Sequence, residues 1–279
     1  MNKYLIAKGI DVVETDLGER ILQLMNLKPA HIVVPAAHIT RDEVGELFEK
    51  DGISKDIGNH DPTYLTQCAR YSLRQEFIEA DAGMTGCNFG VASTGDCVVC
   101  TNEGNADMST SIPRLHIVSM GIDKVIPNYD ALAVFQRLLA RSATGQPSVS
   151  FTSQFRKARP GAEMHVILVD NGRSNIIADQ LHWRTAKCIR CGACMNTCPV
   201  YRRSMGYSYN YFIPGPIGIN LGMVHNPKKH SGNVSACSLC LSCDLVCPVK
   251  VAPGSQIYYW RQALEGFGTE NKEKKYMSV

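Results

Sequence analysis

The hydrophobic and polar positions of this 279-residue chain change rhythm near residue 182. Before that point, helical spacings alternate with short strand-like runs. Residues up to 8 read as the end of a helix stopped by Gly9, and residues 10–13 as a short strand. Asp16, with Glu19 three residues on, predicts a helix to about Leu27, with Pro29 beyond its end. Residues 31–34 suit a buried strand. Thr40 and Glu43 form a capping box opening a helix to about Lys50, with Gly52 after it. Asp61-Pro62 sets a cap and a proline at the start of a longer helix. Its apolar positions, Leu65, Ala69, Leu73 and Phe77 among them, recur at helical intervals, and it should end near Ala82-Gly83.

Strands are expected at 89–92 and 97–101, joined by Thr94-Gly95-Asp96, and again at 115–120, 148–151 and 164–169. A helix is expected at 128–142, with Leu132, Phe135, Leu138 and Leu139 inward. Strands alternating with helices predict an α/β domain with a partly parallel sheet. From about His182 the rhythm is lost. The chain becomes cysteine- and loop-rich, and 204–232 is dense in Gly, Pro, Asn and Tyr. A helix over 255–264 and a polar tail from Gly268 close it. The expected division is an α/β domain over 1–181, a second domain over 182–267 and a tail over 268–279.

Composition narrows the class. With 44% hydrophobic and 20% charged residues, the chain is an ordinary soluble globular protein. A formal net charge of +3 is too weak to argue for nucleic acid. No apolar run approaches the length of a membrane span, and the N-terminal run is too short for a signal peptide. Cytoplasmic residence is the default, and a reducing compartment suits thiolate ligands.

Eight of the twelve cysteines fall in two runs of the same spacing. Cys188, Cys191, Cys194 and Cys198 are followed by Pro199; Cys237, Cys240, Cys243 and Cys247 are followed by Pro248. Each run is C-x2-C-x2-C-x3-C-P, the bacterial ferredoxin pattern for a [4Fe–4S] cluster. Three thiolates at two-residue intervals wrap one face of an iron–sulfur cube. With two motifs present, the fourth ligates the partner cluster, and the proline turns the chain away. One cluster is therefore assigned to Cys188, Cys191, Cys194 and Cys247, the other to Cys237, Cys240, Cys243 and Cys198. Structural zinc more often uses separated C-x2-C pairs, and disulfide frameworks belong to small secreted domains. Arg184, Lys187, Arg190, Arg202, Arg203, Lys228, Lys229 and Lys250 flank the runs. They either stabilise a reduced, anionic cluster or are solvated surface charge.

Further segments carry a resemblance. They are Val12-Val13-Glu14-Thr15-Asp16-Leu17-Gly18-Glu19, the stretch from Pro29 through His31 and Pro35 to His38, Thr85-Gly86-Cys87-Asn88-Phe89, Thr101-Asn102-Glu103-Gly104-Asn105, and Val169-Asp170-Asn171-Gly172-Arg173-Ser174. With the first cysteine run and Pro214-Gly215-Pro216-Ile217-Gly218 following, the chain resembles the B-type lactate-utilisation iron–sulfur proteins over about residues 9–250. The resemblance implies a LUD domain, of mixed-sheet α/β type related to sugar isomerases and CoA transferases, fused to a ferredoxin-like dicluster domain. It implies electron transfer in an NAD-independent oxidation of L-lactate to pyruvate, with other subunits of a lactate-oxidising complex as partners and an unnamed acceptor. It also implies a longer N-terminal part of the LUD domain than this chain has, hence an exposed sheet edge or apolar patch. The family's glutamate near Thr94 is Ser93 here. The same dicluster pattern serves other 2-hydroxy-acid or heterodisulfide-type oxidoreductases, and a non-redox LUD binding or regulatory protein with structural clusters is a further alternative.

No catalytic residue can be named. Residues 102–105 either contact a ligand or form a turn, and 170–173 either bind an anion or turn the chain. Cys97 and Cys100, three apart in a strand, point to opposite faces and cannot share a metal. Cys68 and Cys87 read as small buried hydrophobes. His31, His38, His116 and His165 are scattered. No G-x-G-x-x-G follows a strand, so the chain is not expected to oxidise a substrate alone.

Overall fold

The computed structural model describes residues 2–266. Among these, the strands are β1 (Ala82–Thr85), β2 (Phe89–Val91), β3 (Asp96–Thr101), β4 (Leu115–Gly121), β5 (Val125–Ile126), β6 (Phe151–Phe155) and β7 (Glu163–Val169). One sheet has the order β1-β4-β7, all parallel, with Leu115 to Gly121 in register with Glu163 to Val169. The other runs β5-β2-β3-β6, with a β2–β3 hairpin and β6 antiparallel to β3. Along β4 burial alternates, with His116, Val118 and Met120 inward, as period two requires. A Cβ on Gly83 would lie 1.7 Å from the Ser109 carbonyl, so glycine there lets the helix after β3 close on β1.

The first helices are α1 (Asn2–Ile6), α2 (Leu17–Met25), α3 (Arg41–Lys50) and α4 (Pro62–Glu79). Their caps are the expected ones. Asp16 accepts from the Gly18 amide, Thr40 and Glu43 form the full capping box, and Asp61 accepts from the Thr63 and Tyr64 amides. Ile21, Phe48, Leu65 and Ala69 join these helices in a core of their own. Next come α5 (Asn105–Ser111), α6 (Tyr129–Ala143) and α7 (Arg173–Ala178). Leu132 and Leu139 of α6 bury against Phe89, Val91, Val98 and Ile126 of the mixed sheet, forming a second core.

Several expectations need correcting. Residues 10–13 and 31–34 form no strand. At the second, the amides of Val33 and Val34 donate to Nδ1 of His31, over 3.0 and 3.1 Å, so a side chain takes the bonds that a ladder would use. The strand expected at 148–151 begins at Phe151. Strand β1 and helices α5 and α7 were not foreseen.

The largest correction concerns 204–232. After α8 (Ala193–Thr197) and α9 (Pro199–Ser204) come two well-formed helices, α10 (Gly215–His225) and α11 (Pro227–Ala236). Residues 215 to 223 are all buried, so α10 lacks the polar face that marks an amphipathic helix in sequence. Its Gly218 lies where a Cβ would meet the Ile213 carbonyl at 1.7 Å. The chain then runs through α12 (Ser242–Val246) to α13 (Pro253–Gly266). Met195, Ile217, Met223, Val234, Val251 and Ile257 are almost wholly buried and form a third core beneath the cysteine runs. Ile176 belongs to it and Ile32 packs on it, so the α/β part reaches into the cysteine-rich part. The tail expected over 268–279 lies outside the described residues. Among the described residues, no helix is long and apolar enough to cross a membrane.

Candidate metal centre

The two cysteine runs follow one backbone path. In the first, Cys188 ends a short 3-10 turn, Arg190 and Gly192 take φ values of 62° and 78°, and α8 begins. In the second, Cys237 ends α11, Leu239 and Leu241 take 53° and 61°, and α12 begins. Left-handed residues at both matching places give the two loops the same curl. The Arg190 amide donates to Cys188 Sγ and the Leu239 amide to Cys237 Sγ, both over 3.4 Å. Amides of Tyr201 and Val251 approach the fourth sulfurs, Cys198 and Cys247, at 3.5 and 3.2 Å. Amides aimed at sulfur stabilise thiolate over thiol.

Helices α8 and α12 pack together, which brings the runs into contact. A narrow cavity is lined by Cys188, Cys191, Cys194 and Cys247, closed by Ile217, Val251 and Pro253. Burial pushes the Cys191 thiol up, and Cys188 and Cys247 add to it. Burial also raises Cys237, with Cys198 and Cys240 among its neighbours. Tyr209, raised by burial, bonds Cys198 and lies near Cys237. Cys247 thus lines one cavity with Cys188, Cys191 and Cys194, and Cys198 lies near Cys237. Cys191, Cys194, Cys198, Cys243 and Cys247 are buried, Cys188 and Cys237 half-buried, and Cys240 exposed.

These residues fit an iron–sulfur group. The eight thiols are all free, soft donors, and so many buried thiols resist joint ionisation unless a cationic centre shares them. Among the described residues, no three His, Cys, Asp or Glu side chains converge tightly enough for a single ion. A polynuclear cluster differs from a single ion in that each of its irons takes one thiolate.

Charge around the loops is uneven. Lys124, in the 3-10 turn after β4, donates from Nζ to the Cys188 carbonyl over 2.8 Å. Burial lowers its ammonium to about 8. Asp123, its side chain 2% exposed, pairs with Arg173 at 2.6 Å and Arg190 at 3.4 Å. At the second loop, Asp244 Oδ1 lies 3.5 Å from Cys243 Sγ, and Arg261 donates to the Cys237 carbonyl. Of the flanking cations named from sequence, Arg190 is the one with a place at the Cys188 thiol. Lys124 and Arg261 had no local signal, because they lie far along the chain from the cysteines they touch.

The other sequence candidates separate. The Asn102 side chain donates to Gln146 and accepts from the Ser150 amide, and Asp170 caps the Ser174 amide at 2.7 Å, so both loops behave as turns. Glu103 accepts from the Leu17 amide, which brings two of the recognised segments together beside Asp16. His31, His38, His116 and His165 go to separate partners: backbone amides, Tyr207, Thr85 and Glu163. Cys97 is buried and Cys100 half-buried. Cys68 and Cys87 are only half-buried, which corrects their reading as buried residues.

A family model described as a LUD domain matches residues 2–171. The chain belongs to the LUD-domain family. A 4Fe-4S dicluster domain matches residues 184–251 and holds all eight cysteines of the two runs, so this LUD protein is also an iron–sulfur protein. The uncharacterised electron transport protein YkgF of Escherichia coli is 39% identical, over 99% of this chain and 59% of its own length. Lactate utilization protein B of Shouchella clausii is 42% identical, over 90% of this chain and 54% of its own. The chain therefore spans little more than half the length of these relatives. A solved DUF162 family protein from Deinococcus radiodurans aligns over 34% of this chain and 57% of its own, with 19% identity and a TM-score of 0.26, too slight a likeness to bear on the fold.

Proposed function

We propose that this chain is the iron–sulfur electron-transfer subunit of an NAD-independent L-lactate-oxidising complex in the cytoplasm. The observation that supports the redox role is the meeting of two loops of matching backbone path, with Cys247 of the second lining one cavity with Cys188, Cys191 and Cys194 of the first. The lactate assignment is supported by relatives named Lactate utilization protein B.

Cys188, Cys191, Cys194 and Cys247 would hold one [4Fe–4S] cluster, and Cys237, Cys240, Cys243 and Cys198 the other. When bound, such clusters supply one-electron transfer between a two-electron oxidation and an acceptor. The chain's part is to fix distance, charge and water access. Ile217, Val251 and the buried face of α10 exclude water from the first loop. Cys240 brings the second loop to the surface, where an acceptor could approach. We place the division between the two functional parts at residues 181 and 182, with 182–267 as the electron-transfer part.

Anaerobically purified chain should carry about eight irons and eight sulfides. Mixed with the other subunits of its complex, it should support lactate-dependent dye reduction, and alone it should not. Stoichiometric zinc in place of iron removes the redox role. Lactate turnover by the isolated chain removes the need for partners.

A further inference from the structure

We infer that Lys124, a residue of the LUD domain, sets the reduction potential of the centre held by the Cys188 loop. The inference rests on the cluster reading above and concerns how the two parts of the chain work on each other.

Lys124 stands 64 residues from Cys188 and is joined to it by the 2.8 Å bond from Nζ to the carbonyl. Around it, Arg173 begins α7 at the end of β7, and Arg190 sits inside the cysteine loop. Against these three cations stands one carboxylate, Asp123. Both guanidiniums pair with Asp123, and Arg190 also reaches the Cys188 thiol, whereas the Lys124 hydrogen bond goes to the neutral Cys188 carbonyl. The ammonium is thus a cation beside the first loop whose own hydrogen bond goes to no anion, with Asp123 attracting it only at longer range. The second loop has one carboxylate and one cation in the matching places, Asp244 and Arg261. An electron added to a cysteine-ligated cluster makes it more negative, and a fixed, partly buried cation favours that form. The effect should fall on the first loop's centre and spare the second. Because the cation comes from the turn after β4, the potential depends on how the LUD domain sits on the loop.

The test is an EPR-monitored redox titration of the anaerobically purified full chain, with signals assigned by Cys191→Ser and Cys240→Ser. Lys124→Met should make the first centre on the order of tenfold harder to reduce, a downward shift of ~59 mV for a one-electron couple, and leave the second unmoved. Lys124→Arg should stay near the parent chain. Asp123→Asn, which removes the one anion, should move the first centre the opposite way. A midpoint unmoved by Lys124→Met, or both midpoints moved equally, overturns the inference. If Lys124→Met loads no first centre, Asp123→Asn decides: an upward shift sustains the inference and an unmoved midpoint ends it. A parent chain that carries no clusters defeats the cluster reading itself, which is a different result.

Discussion

The imidazole of His31 fills the space beside Gly192. A Cβ built on Gly192 would lie 2.9 Å from Cε1 of His31 and 3.4 Å from a methyl of Val33. Gly192 also holds φ at 78°. Leu241, at the matching place in the second loop, holds φ at 61° with its side chain 44% exposed. The loop path alone therefore does not demand glycine; the packing of His31 does.

Gly192→Ala should cost about 1–2 kcal/mol for the left-handed backbone, and more for displacing His31. Gly52→Ala is the control, since Gly52 has φ 69° and open space around it. The first should lose iron from one centre and melt earlier; the second should show only the smaller backbone cost. Equal melting temperatures and iron contents would mean that His31 does not brace the loop.

Glu19 gives the α/β part a pH dependence. Burial, then its neighbour Asp16, raises its carboxyl from 4.5 to about 8. The folded pKa lies above the unfolded one, so the protonated form contributes stability. That contribution is complete below 4.5 and is lost as pH rises through about 8. Glu19→Gln should therefore gain on the order of 1–2 kcal/mol over the parent chain above pH 8 and little below pH 5. Urea unfolding of both chains at several pH values checks this. A gap that does not widen with pH contradicts it.

What could be read from the chain before its fold was known divides along physical lines. Caps announced themselves: Asp16, Thr40 with Glu43, Asp61 and Asn128 each begin the helix expected of them. The hairpin of β2 and β3 and the runs of β4 and β7 were equally plain, because apolar β-branched residues crowd there. Helix α10 was hidden because burial on every side erases helical periodicity, and its Gly and Pro imitate a loop. Residues 31–34 misled because His31 bonds the backbone locally. The cysteine positions were legible from spacing alone. The charges of Asp123, Lys124 and Arg261 around them depend on contacts that spacing does not encode.

The exposed edge expected beside residues 10–13 is not found there, because those residues form no strand; a different edge, β7, is exposed instead. It pairs with β4 on one side and with no strand on the other among the described residues. Val166, Ile167 and Leu168 are 45%, 49% and 58% exposed. Parallel strands are usually covered on both faces, so such an edge invites pairing with another chain. Ile167→Lys should lower self-association at high concentration while lowering stability by no more than about 1 kcal/mol. Light scattering measures the first and calorimetry the second. Unchanged association would show that the edge does not mediate contact between copies.

The exchange of fourth cysteines is the claim on which the rest depends, and EPR of Cys198→Ser tests it most directly. A serine oxygen is a harder, poorer ligand than thiolate for this iron, so the centre that loses Cys198 should become labile or shift in potential. The signals are labelled by Cys191→Ser and Cys240→Ser. The account predicts that Cys198→Ser reproduces the Cys240→Ser pattern, disturbing the second loop's centre and leaving the first largely intact. If it reproduces the Cys191→Ser pattern instead, each run closes its own centre and the crossed arrangement is wrong.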